Sequence, residues 1–210
     1  MDSEKKDFDK EAAGWDGYPA RVKLSEDIAR AITGQVRLEP DMDALDFGCG
    51  TGLLTLRLQP FVRSITGADS SQGMLDMLQA KIGELGLGNV TSMLVDLGRG
   101  DRLAGAYDLI VSNMTLHHIR ETEPLLAQFH EVLSPGGYLC ISDLDPDGGR
   151  FHGDNTGVFH FGFDRAVLRN AFISAGFDEV RDITAAEMTR PVAGGGMGVF
   201  SIFLMSGRRR

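Results

Sequence analysis

Cysteine is nearly absent from this 210-residue chain, which has only Cys49 and Cys140. Two cysteines cannot build a disulfide scaffold, so stability must come from a packed core, and a reducing compartment is expected. Long apolar runs are missing too. No uninterrupted stretch approaches the ~18 residues that a membrane-spanning helix needs. The opening Met1-Asp2-Ser3-Glu4-Lys5-Lys6-Asp7 carries both charges and lacks the apolar centre of a secretory signal. A cytoplasmic protein with no membrane partner is the expectation. Positive charge is in deficit, with 21 Lys plus Arg against 30 Asp plus Glu and a formal net charge of −9. That balance lacks the overall positive field that draws phosphate backbones, so no nucleic-acid partner is expected. The short Arg208-Arg209-Arg210 tail reads as solvated charge. No period recurs, and no linker divides the chain into two full domains.

Glycine is in excess, with 27 residues, roughly twice its usual ~7% share. Glycine permits tight turns and close backbone approach, so its clusters mark sites of interest. Around them the chain alternates. Pro19 opens a helix carrying Val22, Ile28, Ala29 and Ile32, and Pro40 closes that region. Ala44-Leu45-Asp46-Phe47 reads as a buried strand, followed by a helix from Leu53 to Leu58. A second strand spans Ser64 to Asp69. Ser71 caps a helix with Met74, Leu75, Leu78, Ile82 and Leu85 at helical spacing, stopped by Gly86 and Gly88. Strands follow at Val90 to Val95 and Tyr107 to Ser112. A helix carries Leu125, Leu126, Phe129, Val132 and Leu133. Pro135-Gly136-Gly137 breaks it and feeds a strand from Tyr138 to Ser142. Asp164 caps a last helix, ended by Gly176, and strand signals close the chain at Val180 to Ile183 and Val199 to Met205.

This alternation predicts an α/β fold, a Rossmann-like doubly wound sheet that is mostly parallel with helices on both faces. The final two strands lack a helix between them, so the last one is expected to run antiparallel. In such sheets ligands bind beyond the carboxyl ends of the strands. Polar clusters fall at those ends: after Phe47, at Asp69, at Asp96, after Ser112 and after Ser142.

Asp46-Phe47-Gly48-Cys49-Gly50-Thr51-Gly52 forms a glycine loop between strand and helix. It departs from the dinucleotide pattern G-x-G-x-x-G, since its third glycine falls one place early and Leu53 takes the slot. A Walker A loop requires a Gly-Lys pair, and the chain has none. No Lys or Arg lies between Asp46 and Leu56, and an acid guards the entrance. A carboxylate beside the glycines favours a cationic ligand. Asp69 could accept hydrogen bonds from a ribose diol. Asp96 could accept from an exocyclic amine while the Leu97 amide donates to a ring nitrogen. Taken singly, the loop is an ordinary strand-to-helix turn, Asp69 a helix cap and Asp96 a turn former.

Four segments in order resemble the class I S-adenosylmethionine-dependent methyltransferases. They are Leu45 to Gly52, Gly67-Ala68-Asp69-Ser70-Ser71-Gln72-Gly73-Met74-Leu75, Tyr107 to Asn113 with Leu116-His117-His118-Ile119, and Val132-Leu133-Ser134-Pro135-Gly136-Gly137-Tyr138-Leu139. The resemblance covers residues 41 to 145 and implies a seven-stranded sheet with S-adenosylmethionine as cofactor and S-adenosylhomocysteine as product. It implies that Asp46 faces the methionine amino end. Gly48, Cys49, Gly50 and Gly52 would lie along the methionine portion. Asp69 would hold the ribose, with Ser70 beside the adenine in place of a commoner apolar residue. Asp96 and Leu97 would read the adenine edge, and Asn113 would offer its main-chain carbonyl.

Methyl transfer from a sulfonium needs alignment and exclusion of water, with a base where the acceptor starts protonated. His117 and His118 follow the fourth strand, and the resemblance favours His117 as that base. Local packing of both histidines is the other reading. Tyr18 and Arg21 could help bind the cofactor, with Arg21 clamping its carboxylate. The stretch from Asp143 to Phe163, rich in Gly, Phe and His, suits a substrate wall. His152 and His160 lack compact ligand spacing, so no metal is expected. One domain over 1–210 is expected, with a helical cap at 1–39, a cofactor core at 41–145, a substrate loop at 146–163 and a C-terminal unit at 164–210. Asn113-Met114-Thr115-Leu116 stands where amino-methylating nucleic-acid enzymes of this fold tend to carry Asn/Asp-Pro-Pro-Tyr. The expected acceptor is therefore a small molecule. A cofactor-binding partner subunit without turnover and a nucleotide-linked oxidoreductase are the alternatives.

Overall fold

Asp43–Phe47 is buried at its last four positions, the pattern of a strand covered on both faces. The structure, a computed structural model, describes residues 6–192 and 195–210. Most of the charged opening weighed above, residues 1–5, lies outside the described residues. In chain order the elements are α1 (Phe8–Glu11), α2 (Pro19–Gln35), β1 (Asp43–Phe47), α3 (Thr55–Leu58), β2 (Ser64–Asp69), α4 (Gln72–Leu85) and β3 (Val90–Leu94). There follow β4 (Tyr107–Asn113), α5 (Thr122–Val132), β5 (Leu133–Leu144), α6 (Arg165–Ser174), β6 (Phe177–Pro191) and β7 (Met197–Arg209).

The strands form one seven-stranded sheet in the order β3-β2-β1-β4-β5-β7-β6. Strand β7 runs antiparallel to both its neighbours, and the other strands are parallel to one another. Chain order reverses between β1 and β4, so a cleft opens there beyond their carboxyl ends. Successive strand residues alternate between two apolar layers. Ala44, Leu109, Val111 and Cys140 join α2, α3 and α4 through Ile28, Leu58 and Leu78. Leu45, Ile110, Leu139 and Ile141 join α5 and α6 through Leu126, Phe129 and Phe172. The two-residue period of a strand thus sorts side chains onto helices above and below.

Local signals set the helix ends. Ser71 Oγ accepts from the Met74 amide at 3.1 Å at the start of α4, and Gly86 closes that helix at φ 63°. Asp164 accepts from the amides of Ala166 and Val167 at the start of α6; such caps contribute about 1 kcal/mol each. The N-terminal segment is tied onto α4. Asp9 Oδ1 accepts from Ser71 Oγ at 2.5 Å and from the Gly73 amide at 2.9 Å.

Several boundaries differ from expectation. The helix after the glycine loop begins at Thr55 rather than Leu53 and lasts a single turn before a 3-10 turn at Gln59–Phe61. Helix α2 ends at Gln35, ahead of Pro40. Pro135-Gly136-Gly137 lies within β5 as an irregularity, because pairing with β4 jumps from Tyr107↔Leu133 to Leu109↔Tyr138. Strands β6 and β7 extend far past their apolar centres, pairing from Phe177↔Arg209 to Pro191↔Met197. The backbone ladder carries them where side-chain pattern gives no cue. Among the described residues, no helix is long and apolar enough to cross a membrane.

Candidate active site

Strand β1 delivers Asp46 to its carboxyl end, where the chain must turn at once. Gly48 makes that turn at φ 72°, and a Cβ there would sit 2.2 Å from Thr115 Oγ1. No other residue fits so close to the loop after β4. The amides of Gly48 and Cys49 donate to the Ala68 carbonyl at 2.7 and 3.1 Å. Asp69 then accepts from the amides of Gly50 (2.8 Å) and Ser71 (2.9 Å). Its carboxylate binds loop and helix start together, which is more than the capping role its position alone suggests.

These strand ends floor a cavity of ≈ 1210 Å³, larger than the roughly 300–1,000 Å³ of a one-ligand site. Asp46, Gly48, Cys49, Gly50, Asp69, Ser70, Asp96, Leu97, Asn113, Tyr18, Arg21 and His117 all line it. Gly52 does not. At φ 83° it turns the chain beneath α4, where a Cβ would meet Leu78 Cδ1 at 2.4 Å. That close approach to α4 requires a glycine here.

Asp46 is 1% exposed. Its carboxylate accepts from Thr55 Oγ1 at 2.6 Å, and no Lys or Arg is paired with it among the described residues. Burial, opposed by the Thr55 bond and reinforced by the Asp69 charge, pushes it up to about 7. An acid so placed lacks a cation. Asp96 accepts from the Gly98 amide at 3.0 Å, so its turn-forming role is real while it also lines the cavity. The Asn113 carbonyl accepts from Thr115 Oγ1 at 3.1 Å, and its side-chain oxygen accepts from Ser142 Oγ at 2.9 Å. Burial beside Asp46 and Asp69 raises the Cys49 thiol, which keeps it protonated and unreactive.

The N-terminal segment supplies the cavity's outer side. Asp16 accepts from Thr51 Oγ1 at 2.5 Å and pairs with Lys81. The Trp15 ring lies across from Gly50, whose Cα–H side stays open to the cavity. Arg21 stacks on Trp15 at 3.6 Å from the ring centre and on Tyr18 at 4.5 Å, with Glu11 at 3.7 Å. Tyr18 itself is largely exposed.

On the far side stands a histidine cluster. His117 is buried and its Nδ1 lies 2.8 Å from Asp143 Oδ1. Asp143 also accepts from the amides of His117 (3.2 Å) and Leu144 (2.7 Å). Nδ1 therefore donates to the carboxylate, and Nε2 is the ring nitrogen left for another partner. His118 Nδ1 donates to the Gly157 carbonyl at 2.7 Å. His152, from the loop after β5, packs against both rings. Burial, then the neighbouring His117, lowers His118 to about 4 and His152 to about 3, so both are neutral near pH 7. His160 is elsewhere, its Nε2 donating to the Ile119 carbonyl at 2.9 Å.

Sequence reasoning missed Asp143 as the partner of His117, although it follows a strand end as the other acids do. It also missed Arg190, which lies 4.5 Å over the Phe151 ring at the cavity wall. No local cue marks Arg190, because β6 brings it in from the far edge of the sheet.

Residues 44–137 match the methyltransferase-domain family. An uncharacterized methyltransferase of Schizosaccharomyces pombe is 32% identical over 182 residues, covering 80% of this chain and 64% of that protein. Trans-aconitate 2-methyltransferase of Deinococcus radiodurans is 36% identical over 115 residues, 54% of this chain and 42% of that protein. The chain therefore spans less than two thirds of either relative. Magnesium protoporphyrin IX methyltransferase of Synechocystis PCC 6803, solved with bound S-adenosylhomocysteine, shares the fold. Its TM-score is 0.64 at 21% identity, over 91% of this chain and 84% of that one.

Proposed function

This chain carries a methyltransferase domain of the class I S-adenosylmethionine-dependent family, and from that premise we propose that it methylates an acidic small molecule. The observation that carries the cofactor half is Asp46, a buried carboxylate at the cavity floor with no Lys or Arg paired to it among the described residues. A sulfonium or ammonium group would supply the missing positive charge. Asp46 would hold the amino end, Asp69 the ribose, and Asp96 with Leu97 the adenine edge. Gly48, Cys49 and Gly50 would let the backbone approach the methionine portion, and the Asn113 carbonyl would accept from its amine. Ser70 would border the adenine. When bound, S-adenosylmethionine supplies a methyl group whose carbon–sulfur bond breaks as the acceptor's lone pair bonds to carbon.

The chain's own work is alignment and exclusion of water. Trp15, Tyr18 and Arg21, tied down through Asp9 and Asp16, would cover the cofactor. The loop 146–163 would wall the acceptor. His117, held by Asp143, would receive a departing proton at Nε2. Arg190 supports an acidic acceptor. It is half-buried at the same wall, burial lowers its pKa, and no carboxylate is paired with it among the described residues. A half-buried guanidinium suits a carboxylate ligand. The Deinococcus radiodurans relative is named for an acid of that kind.

Calorimetry with S-adenosylhomocysteine and with NAD tests the cofactor half. Binding of the first and not the second is expected; binding of NAD alone refutes it. Incubation with methyl-labelled S-adenosylmethionine and a metabolite extract, followed by anion-exchange separation, tests the acceptor half. Label in anionic products, or in neutral products that release it as methanol on alkaline hydrolysis, is expected; label only in basic products or in neutral products stable to alkali refutes it.

A further inference from the structure

We propose that His117, His118 and His152 together bind one divalent transition-metal ion of the zinc class on the acceptor side of the cavity. The three come from two separate places, the 3-10 turn after β4 and the loop after β5. One ring nitrogen of each lies within 4.8 Å of the others. The expectation of no metal rested on their spacing in the chain, which the fold overrides.

The hydrogen bonds behind the rings fit ligation. Metal-bound histidines typically donate their other ring N–H to a carboxylate or a backbone carbonyl, which fixes the tautomer and aims the lone pair. His117 donates from Nδ1 to Asp143, which is fully buried and held by two backbone amides. His118 donates from Nδ1 to the Gly157 carbonyl. In both rings Nε2 is then the nitrogen left for a metal. His117 Nε2 and His152 Nε2 are buried without any hydrogen-bond partner among the described residues. Buried polar atoms are normally paired, so two orphans in one cluster point to a missing partner.

The donor set chooses the ion. Imidazole nitrogens suit zinc, cobalt, nickel or iron, whereas magnesium and calcium demand oxygens. Three protein ligands opening on a cavity describe a catalytic zinc site, with a further position for water or substrate. Zinc–nitrogen bonds of about 2.1 Å in a tetrahedron set ligand atoms about 3.4 Å apart. The cluster must therefore contract by up to about an ångström and a half to close. His117 and His118 are each tied at Nδ1, so the movement falls on His152 and its loop. An acceptor oxygen in the open position would be acidified by the ion. This is a different use of the His117 lone pair from direct proton removal. The charge balance is consistent, since Asp143 sits behind the cluster and the acceptor is acidic, offsetting Lys6 and Arg190 nearby. The acceptor-side role rests on the proposed methyl transfer, but binding of the ion does not.

The test uses the full chain without a polyhistidine tag, stripped with a chelator and titrated with zinc, then cobalt. S-adenosylhomocysteine affinity is measured on every sample as a check of fold and cofactor site. One equivalent of zinc and the visible absorption of four-coordinate cobalt are expected. His118→Ala and His152→Ala should each weaken zinc at least tenfold, and Asp143→Asn about 10–100-fold, with S-adenosylhomocysteine binding kept. No zinc binding in a protein that still binds S-adenosylhomocysteine overturns the site. So does zinc affinity unchanged by both histidine substitutions. Full turnover by the stripped protein, unaltered by added zinc, overturns the ion's role and leaves His117 as a direct base. Zinc binding without S-adenosylhomocysteine binding refutes the cofactor assignment alone.

Discussion

Replacing Asp46 with Asn should make the ligand-free protein more stable at pH 8 while weakening its hold on the cofactor. Burial raises this carboxyl from 3.8 to about 7. Between those values the folded state keeps a proton that the unfolded state has lost. Stability therefore falls as pH rises through this window, and the whole cost stands above pH 7. At 1.36 kcal/mol per pH unit, that cost reaches about 4 kcal/mol at pH 8 and about 2 kcal/mol at pH 5. Asn removes the charge and can still accept from Thr55, but its amide N–H groups find no evident partner, a loss of about 1–3 kcal/mol. A net gain of about 2 kcal/mol at pH 8 remains, which raises Tm by about 4–8 °C in a chain of this size. Near pH 5 the gain should vanish. Thermal unfolding of wild type and Asp46→Asn at both pH values measures this directly. Calorimetry should show S-adenosylhomocysteine binding about 10–100-fold weaker, as one charge-assisted contact is lost. Equal destabilisation at both pH values with unchanged affinity would refute the assignment of Asp46 as a charge kept for a cation.

Asp69→Ala should weaken S-adenosylhomocysteine by about 1–3 kcal/mol, and unchanged affinity would remove the ribose assignment. Gly48→Ala should destabilise by about 2–5 kcal/mol, because a positive φ and a collision with Thr115 act together; chemical denaturation checks this, and a loss under 1 kcal/mol would contradict it. The chain's single tryptophan, Trp15, lines the cavity, so titration with S-adenosylhomocysteine should change its fluorescence with the same dissociation constant as calorimetry. A flat signal would separate the N-terminal cover from the cofactor. His117→Ala should spare S-adenosylhomocysteine affinity and slow methyl transfer; unaltered turnover across pH would end its acceptor-side role.

Much of this protein was legible in its residue order because the signals are local. Ser71 and Asp164 mark helix starts by their own hydrogen bonds. The β1 and β4 segments announce double-sided burial by consecutive apolar residues, and Asp46, Asp69 and Asp96 fall at strand ends by counting. Boundaries failed where backbone pairing outran side-chain pattern. Strands β6 and β7 run on through polar residues because backbone pairing, interrupted only between Asp178 and Arg181 and between Thr184 and Ala186, does not depend on the side chain. The motif contains Gly52, but its close approach to Leu78 on another helix was visible only in the fold.

Residue order alone therefore determined the alternation, the glycine turn and the acids that follow each strand, since each is settled within a few neighbours by steric freedom, capping and period. Tertiary structure alone decided that His152 meets His117 and His118, that Asp143 stands behind them, that Arg190 crosses the sheet to Phe151, and that Asp9 and Asp16 tie Trp15 over Gly50. Those partners lie far apart in the chain, and nothing in the local chemistry of any one names the other. They meet because the sheet's strand order and register carry their loops to a common end.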